Sequence, residues 1–322
     1  MENSSKFKKN NFQITIGHIH RTFVKDGLLC QYINTDIFRD PLGMYENLKS
    51  VTDHIKKKAE ENGMDPERVT LTPVSQEKTA DGFIRKVKYI DNTVSIEKSD
   101  DKKTLYSAAF GYGEFIKWLS DFPAETLNIT IPDFHNTLKR LKDLEKAVRD
   151  DPLGLKKNIE YELEYVLSHK EFACDFSEKV PLRAVHNDAK LSNVLFDKDD
   201  QEKALAIVDL DTVMPGYAAT DFGDLVRSVA KKKTPDGLHT IFDKEAYESV
   251  RRGFCDGAGD SLTGPEIESL DYGVINIAYE MAVRYLEDYL LGDPYFRTIR
   301  GEAKRSRAIE NIEFLKAFIR SS

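Results

Sequence analysis

In the segment 184-AVHNDAKLSNVLFDKDDQEKALAIVDLDTVMPG-216, one apolar run ends in His186, Asn187 and Asp188, and a second ends in Asp209 and Asp211. Lys190 and Asn193 complete the pattern H-x-D-x-K-x-x-N. A carboxylate and an amide oxygen together suit a hard divalent cation, which takes oxygen ligands and keeps part of its shell for water or phosphate. A second carboxylate, not spent on the cation, is able to take a proton from a hydroxyl. An ammonium beside it offsets charge on a group in transfer.

The elements that must position these residues follow from the apolar runs. The stretch 180-VPLRAV-185 reads as a strand leading into a loop, and 194-VLF-196 with 204-ALAIV-208 reads as a hairpin around 197-DKDDQEK-203. Antiparallel pairing returns the chain to the end where it began. Asn193, entering the hairpin, and Asp209, leaving it, become neighbours close to Asp188. A five-residue step from a base Asp to a metal-binding Asn, with a further metal-binding Asp at a later strand end, is the arrangement used in phosphoryl transfer by kinases. On this reading Asp188 is the base, Lys190 reaches the transferred phosphoryl, and Asn193 and Asp209 hold Mg²⁺. His186 is expected to fix the loop through buried hydrogen bonds. The nearby 221-DFGD-224 spells the metal motif of protein kinases, but it follows the hairpin, and Asp209 already holds the metal place. Asp221 is therefore expected to cap a helix over 222–232 and to brace the loop.

The whole chain sets the frame. Its 322 residues suit two lobes or domains. Hydrophobic residues make up 40% and charged residues 32%, an ordinary balance for a globular protein. A net charge of -8 and a pI near 5.5 argue against a nucleic-acid partner, which would want a basic face. The basic runs Lys56–Lys58 and Lys231–Lys233 read as a solvated helix face and a loop. Cys30, Cys174 and Cys255 are odd in number and widely spaced, which predicts no disulfide framework and no zinc site, and a cytoplasmic location. No secretory h-region is visible, and no run approaches the roughly 18 apolar residues that span a bilayer, so no membrane partner is expected.

Along the chain, 12-FQITIGHIHRTFVK-25 predicts a hairpin around Gly17, 28-LLCQYI-33 a strand, 42–63 a helix ending at Gly63, and 69-VTLTPV-74 and 83-FIRKVKYI-90 two more strands. Beyond Ile90 the pattern turns helical, over 104–122, 136–149, 158–170, 265–292 and 303–319, with Pro265 at a first helical position and Gly292 at a stop. The expected architecture is α+β and two-lobed: a small, β-rich N-terminal nucleotide-binding lobe with one helix over 1–90, and a larger helical catalytic and substrate-binding lobe over 91–322. The stretch 90-IDNTVSIE-97 is expected to be a short crossing between them.

At these residues the chain resembles the aminoglycoside phosphotransferase and choline kinase group of small-molecule kinases, whose fold is protein-kinase-like. It is most similar to the N-acetylhexosamine 1-kinases. The similarity is carried by 17-GHIHRTF-23, 31-QYINTDIFRDPLGMYENL-48, 185-VHNDAKLSNVLFD-197, 207-IVDLDTVMPG-216, 220-TDFGDLVRS-228 and 284-RYLEDYLLGDPYF-296. The resemblance implies transfer of the ATP γ-phosphate to the anomeric hydroxyl of an N-acetylhexosamine. It implies the base role of Asp188, a nucleotide site near Gly17, His18, Gln31, Tyr89 and Asp91, and acceptor contacts from Asp188, Arg284 and Tyr295. Read from their own surroundings, Arg284 equally reaches solvent, Tyr295 equally fills a core, and Asp211 either faces the sugar or closes the turn. Two departures stand out. Strand three carries Gln31 where kinases have a Lys that pairs with a helix Glu, although Glu46 is present on the next helix. His20 stands where the sugar kinases have Asn. The departures leave ATP or GTP preference open. They also keep two rivals in view: a kinase of another alcohol (choline, an aminoglycoside or another sugar), and a non-catalytic binding module. A protein-kinase role ranks last, because Asp209 to Asp221 is too short for a peptide-positioning activation loop.

Overall fold

The computed structural model describes residues 12–13, 19–80, 82–292, 294–295 and 299–321. In the N-terminal part, β1 (Phe12–Gln13), β2 (Arg21–Lys25), β3 (Leu28–Ile33), β4 (Pro73–Thr79) and β5 (Gly82–Lys88) form one antiparallel sheet in the order β1-β2-β3-β5-β4. The β2–β3 turn is Asp26–Gly27, both at positive φ (53° and 73°), the backbone that a two-residue hairpin needs. Helix α1 (Pro41–Glu61) starts where the Asp40 carboxylate accepts the Gly43 N–H, and Pro41 fills a position whose N–H would have no helical partner. It buries Met44, Leu48, Val51, Ile55 and Ala59, one helical face.

The strand expected over 69–74 is displaced. Asp65 caps a single helical turn, α2 (Pro66–Val69), by accepting the Glu67 N–H, and β4 begins only at Pro73 and runs through 75-SQEKT-79. These residues show no apolar alternation because β4 is the sheet edge and all of them stay at least partly exposed.

The crossing after Ile90 is itself a strand. β6 (Thr93–Ser95), β7 (Arg183–Val185), β8 (Val194–Asp197), β9 (Ala204–Ile207) and β10 (Met214–Gly216) make two small sheets, β6-β8-β9 and β7-β10. The remaining helices are α3 (Lys102–Trp118), α4 (Thr137–Asp150), α5 (Glu160–Ser168), α6 (Ala218–Ala230), α7 (Lys244–Ala258), α8 (Gly264–Leu290) and α9 (Glu302–Ser321). The basic run Lys231–Lys233 is not a loop. It is β11 (Lys231–Lys233), paired with β12 (Thr240–Phe242), and Lys232 and Lys233 meet Asp243 and Glu310 at 2.9 and 3.1 Å.

One contiguous apolar core runs from Val51 and Val87 through Leu105 and Phe196 to Val274 and Phe314. Helix α8 is its axis. A Thr263–Glu266 capping box starts it, and Glu266 also takes Arg183 Nε and Nη2 at 2.5 and 2.8 Å. The strand that leads into the Asp188 loop is thereby bolted to the N-terminus of α8. Helices α6 and α8 approach so closely that a Cβ at Gly223 would strike the Gly273 carbonyl. Among the described residues no helix is long and apolar enough to cross a membrane.

Candidate active site

The β8–β9 hairpin pairs Val194 with Ile207 and Leu195 with Ala206, and the Val208 N–H donates to the Asn193 carbonyl at 2.9 Å. Asn193 and Asp209 are thereby set side by side, as antiparallel return requires. The loop before the hairpin is over-determined. His186 is fully buried, and its Nε2 lies 2.9 Å from the Val208 carbonyl while its Nδ1 receives the Asp188 N–H at 3.2 Å. Tyr112 OH donates to the Lys190 carbonyl and accepts the Lys190 N–H, both at 3.0 Å. Asn187 and Asp209 both sit in the left-handed region (φ 62° and 63°), unusual for residues with a Cβ. Asn187 Nδ2 donates to the Thr212 carbonyl at 3.0 Å, and Thr212 Oγ1 donates to the His186 carbonyl at 2.7 Å, which holds the two loops together.

Asp188 is partly exposed, with Oδ2 2.7 Å from Lys190 Nζ. Asn193 Nδ2 donates to the Asp188 carbonyl at 2.9 Å, which turns its own amide oxygen away from Asp188. Burial, then the Asp211 and Asp188 carboxylates, push the Asp209 carboxyl upward. Burial opposes the charge on Lys190, but Asp188 and Asp209 outweigh it and raise its pKa. The donor set fits a divalent cation: an amide oxygen beside a carboxylate that its neighbours crowd with negative charge.

Asp221 sits within the first turn of α6, not at its cap, since the helix starts four residues earlier than its spacing predicts and Tyr217 precedes it without a side-chain bond. Its carboxylate accepts the backbone N–H of His186 and of Asn187, each at 2.7 Å. The bracing role holds and the capping role does not. The other two residues of that motif are packing groups: Phe222 meets Phe254 and Tyr247 edge-on, and Gly223 allows the approach of α8.

Asp211, expected either to face the sugar or to close the turn, turns its carboxylate to the N-terminal lobe. It is 2% exposed, Arg85 Nη1 donates to its Oδ1, and Arg85 Nη2 and His20 Nε2 lie 3.0 and 2.6 Å from its Oδ2. Both carboxylate oxygens are committed to the N-terminal sheet, and burial notwithstanding, Arg85 and His20 hold its carboxyl below the usual range. Gln31 lies directly across from Arg85 in the sheet, and its amide oxygen takes Arg85 Nη2 at 2.7 Å. Glu46 is exposed and faces Asn128 rather than strand three. Gly17 and His18 lie outside the described residues. Tyr89 donates its N–H to the Gly27 carbonyl at 2.9 Å, and the Asp91 carbonyl accepts from Arg68 Nη1 at 3.1 Å. Those contacts keep both within the N-terminal lobe.

Arg284 and Tyr295 meet: the guanidinium carbon lies 5.3 Å from the centre of the Tyr295 ring and 5.3 Å from that of Phe134. Arg284 Nη1 also donates to Glu280 at 3.2 Å, Glu280 accepts from Thr137 Oγ1 at 2.8 Å, and its Oε1 is 3.1 Å from His135 Nδ1. His135 Nε2 lies 2.8 Å from the Asn187 carbonyl. Both ring nitrogens face acceptors, an arrangement that favours the doubly protonated ring. Burial works against that charge, but Glu280 raises the pKa of His135, and His135 and Arg284 hold the buried Glu280 carboxyl at about 2. A polar chain thus runs from Tyr295 and Arg284 to the residue beside Asp188.

Sequence reasoning passed over His135, Glu280 and Arg85. Two of them leave a signal. Arg85 shares the buried face of β5 with Val87, a charged residue where period-two alternation calls for an apolar one. Glu280 and Arg284 lie four apart on the part of α8 after Tyr272, most of which is buried.

The model of the phosphotransferase enzyme family, APH, matches residues 83–260. In structure the chain is similar to the GDP complex of wild-type aminoglycoside 2'-phosphotransferase-IIIa, at 15% identity and TM-score 0.57, over 98% of this chain and 94% of that one. It is similar to a choline/ethanolamine kinase family protein from Mesorhizobium loti, at 16% identity and TM-score 0.59, over 98% and 93%. It is also similar to an aminoglycoside phosphotransferase from Alicyclobacillus acidocaldarius, at 13% identity and TM-score 0.59, over 94% and 92%. At such identities the likeness is one of fold: a protein-kinase-like arrangement with a small sheet-rich N-terminal part and a helical C-terminal part.

Proposed function

The chain belongs to the phosphotransferase enzyme family, and from that premise we propose that it is a small-molecule kinase that transfers the ATP γ-phosphate to the anomeric hydroxyl of an N-acetylhexosamine, with a sugar 1-phosphate as product. The observation that carries this reading is the Arg284 guanidinium set against the Phe134 and Tyr295 rings and linked through Glu280 and His135 to the Asp188 loop. A guanidinium offers donors only, which hydroxyl and acetamido oxygens accept and an ammonium cannot. Aromatic faces suit the C–H side of a pyranose. A choline or an aminoglycoside would bring a cation to the same place.

In this reading Asp188 orients the accepting hydroxyl and takes its proton, and Lys190, 2.7 Å from it, offsets charge on the phosphoryl in transfer. Asn193 and Asp209 would hold Mg²⁺, which, when bound, neutralises the charge that develops on the phosphates. Gln31, Tyr89 and Asp91 of the N-terminal part, together with Gly17 and His18, would receive the nucleotide.

The test is phosphorylation of N-acetylhexosamines, hexoses, choline and aminoglycosides in parallel, with products read by phosphorus NMR. An anomeric phosphate from an N-acetylhexosamine is expected. Turnover of choline or an aminoglycoside with no anomeric phosphate from any sugar overturns the assignment. No turnover of any acceptor favours the non-catalytic rival.

A further inference from the structure

Three separate elements of the N-terminal lobe converge on the few residues that follow Asp209. His20, beside β2, reaches Asp211 Oδ2 at 2.6 Å, and its Nδ1 receives the Asn34 N–H at 3.1 Å, which leaves the ring proton on Nε2 facing the carboxylate. Arg85, from β5, grips both Asp211 oxygens. Asn47, from α1, donates from Nδ2 to the Val213 carbonyl at 3.0 Å and to the Asn128 carbonyl at 2.8 Å, and accepts the Asn128 N–H at 2.8 Å. All three side chains are buried, at 8%, 2% and 2% exposure. Asp209 itself occupies a left-handed backbone that its own side chain does not cap. Its backbone is held from the N-terminal side by Val208 in the hairpin and from the C-terminal side by the Leu210–Val213 segment that these three residues grip.

We propose that Arg85, His20 and Asn47 are positioning residues that aim the Asp209 carboxylate from the N-terminal lobe. Arg85 does so in place of the strand-three cation that this chain lacks. It delivers a guanidinium from the strand next to Gln31, and it spends that charge on the metal loop instead of on a helix Glu. Held at both oxygens, Asp211 is also kept from swinging two residues back to compete with Asp209 for a cation. The inference rests on the reading of Asp209 as a metal ligand.

The experiment compares wild type, D209N, R85Q and R85Q/D211N. It measures Mn²⁺ binding in the presence of ADP from the free-Mn²⁺ electron paramagnetic resonance signal, alongside the Mg²⁺ dependence of turnover and the acceptor KM. R85Q alone leaves a buried carboxylate uncompensated, so the double variant, which removes both charges, carries the test. In R85Q/D211N, Mn²⁺ binding about tenfold weaker is expected, the scale found when a group that orients a metal ligand is lost. The Mg²⁺ needed for half-maximal turnover should rise in step, with the acceptor KM unmoved. A folded double variant that binds Mn²⁺ with ADP as tightly as wild type overturns the proposal. If D209N binds Mn²⁺ as wild type does, the metal-ligand reading fails, and this proposal falls with it.

Discussion

The Asp221 carboxylate holds Asn187 by its backbone, with Oδ1 2.7 Å from the Asn187 N–H while Oδ2 takes the N–H of His186. Two buried donors of the loop that carries Asp188 thus end on one side chain that touches neither nucleotide nor acceptor in the proposed reaction. Asp221→Ala should cost about 3 kcal/mol in denaturant unfolding, because both donors lose a charged acceptor. It should also lower kcat. Asp221→Asn, which keeps an acceptor oxygen, should fall between. An Ala variant with wild-type stability would show that the brace is dispensable.

Asp188→Asn removes the proposed proton acceptor and preserves its shape. A loss of roughly 10² to 10⁴ in kcat is expected, the usual worth of a positioned base, with nucleotide affinity nearly unchanged. Steady-state kinetics with the acceptor found by phosphorus NMR decides it, and full activity in the variant would rule Asp188 out as the base.

Gly223, the last letter of the D-F-G motif, is predicted to matter for packing. A Cβ there would meet the Gly273 carbonyl of α8, with backbone on both sides and no flexible group to yield. Gly223→Ala should destabilise the fold by about 1–3 kcal/mol, measured by thermal or denaturant unfolding. Activity should be retained in the fraction that stays folded.

The His135–Glu280 pair should shape stability against pH. His135 is raised from its ordinary value of 6.5, so its contribution is complete below that pH and is lost as pH climbs through the folded value. Glu280 is lowered from 4.5 to about 2, so its contribution is complete above 4.5 and is lost as pH falls toward 2. The pair therefore stabilises most between about pH 4.5 and 6.5. Denaturant midpoints of wild type and His135→Gln, measured from pH 3 to 9, should differ most inside that window and converge outside it. A constant gap across the range would contradict the pairing.

Arg284→Lys keeps a charge but loses the planar fork that lies against Tyr295 and Phe134. The acceptor KM should rise about tenfold with the nucleotide KM unchanged, since one bidentate donor set is worth on the order of 1.4 kcal/mol. An equal rise in both constants would place Arg284 outside the acceptor site.

What the sequence determined by itself is the local part. Asp188, Lys190, Asn193 and Asp209 lie within 22 consecutive residues, and a single hairpin brings them together, so spacing alone was enough to assemble them. Helix starts were equally legible where a Pro stands in the first turn, as at Pro41 and Pro265. The edge strand β4 was misplaced, because a strand partly exposed on both sides has no alternation to read. Only the tertiary structure decided what Asp211 and His135 do. Their partners Arg85 and Glu280 lie 126 and 145 residues away. A polar residue buried against a distant partner leaves no period in the chain. Its cost of burial is offset only once the fold has delivered the other half of the pair.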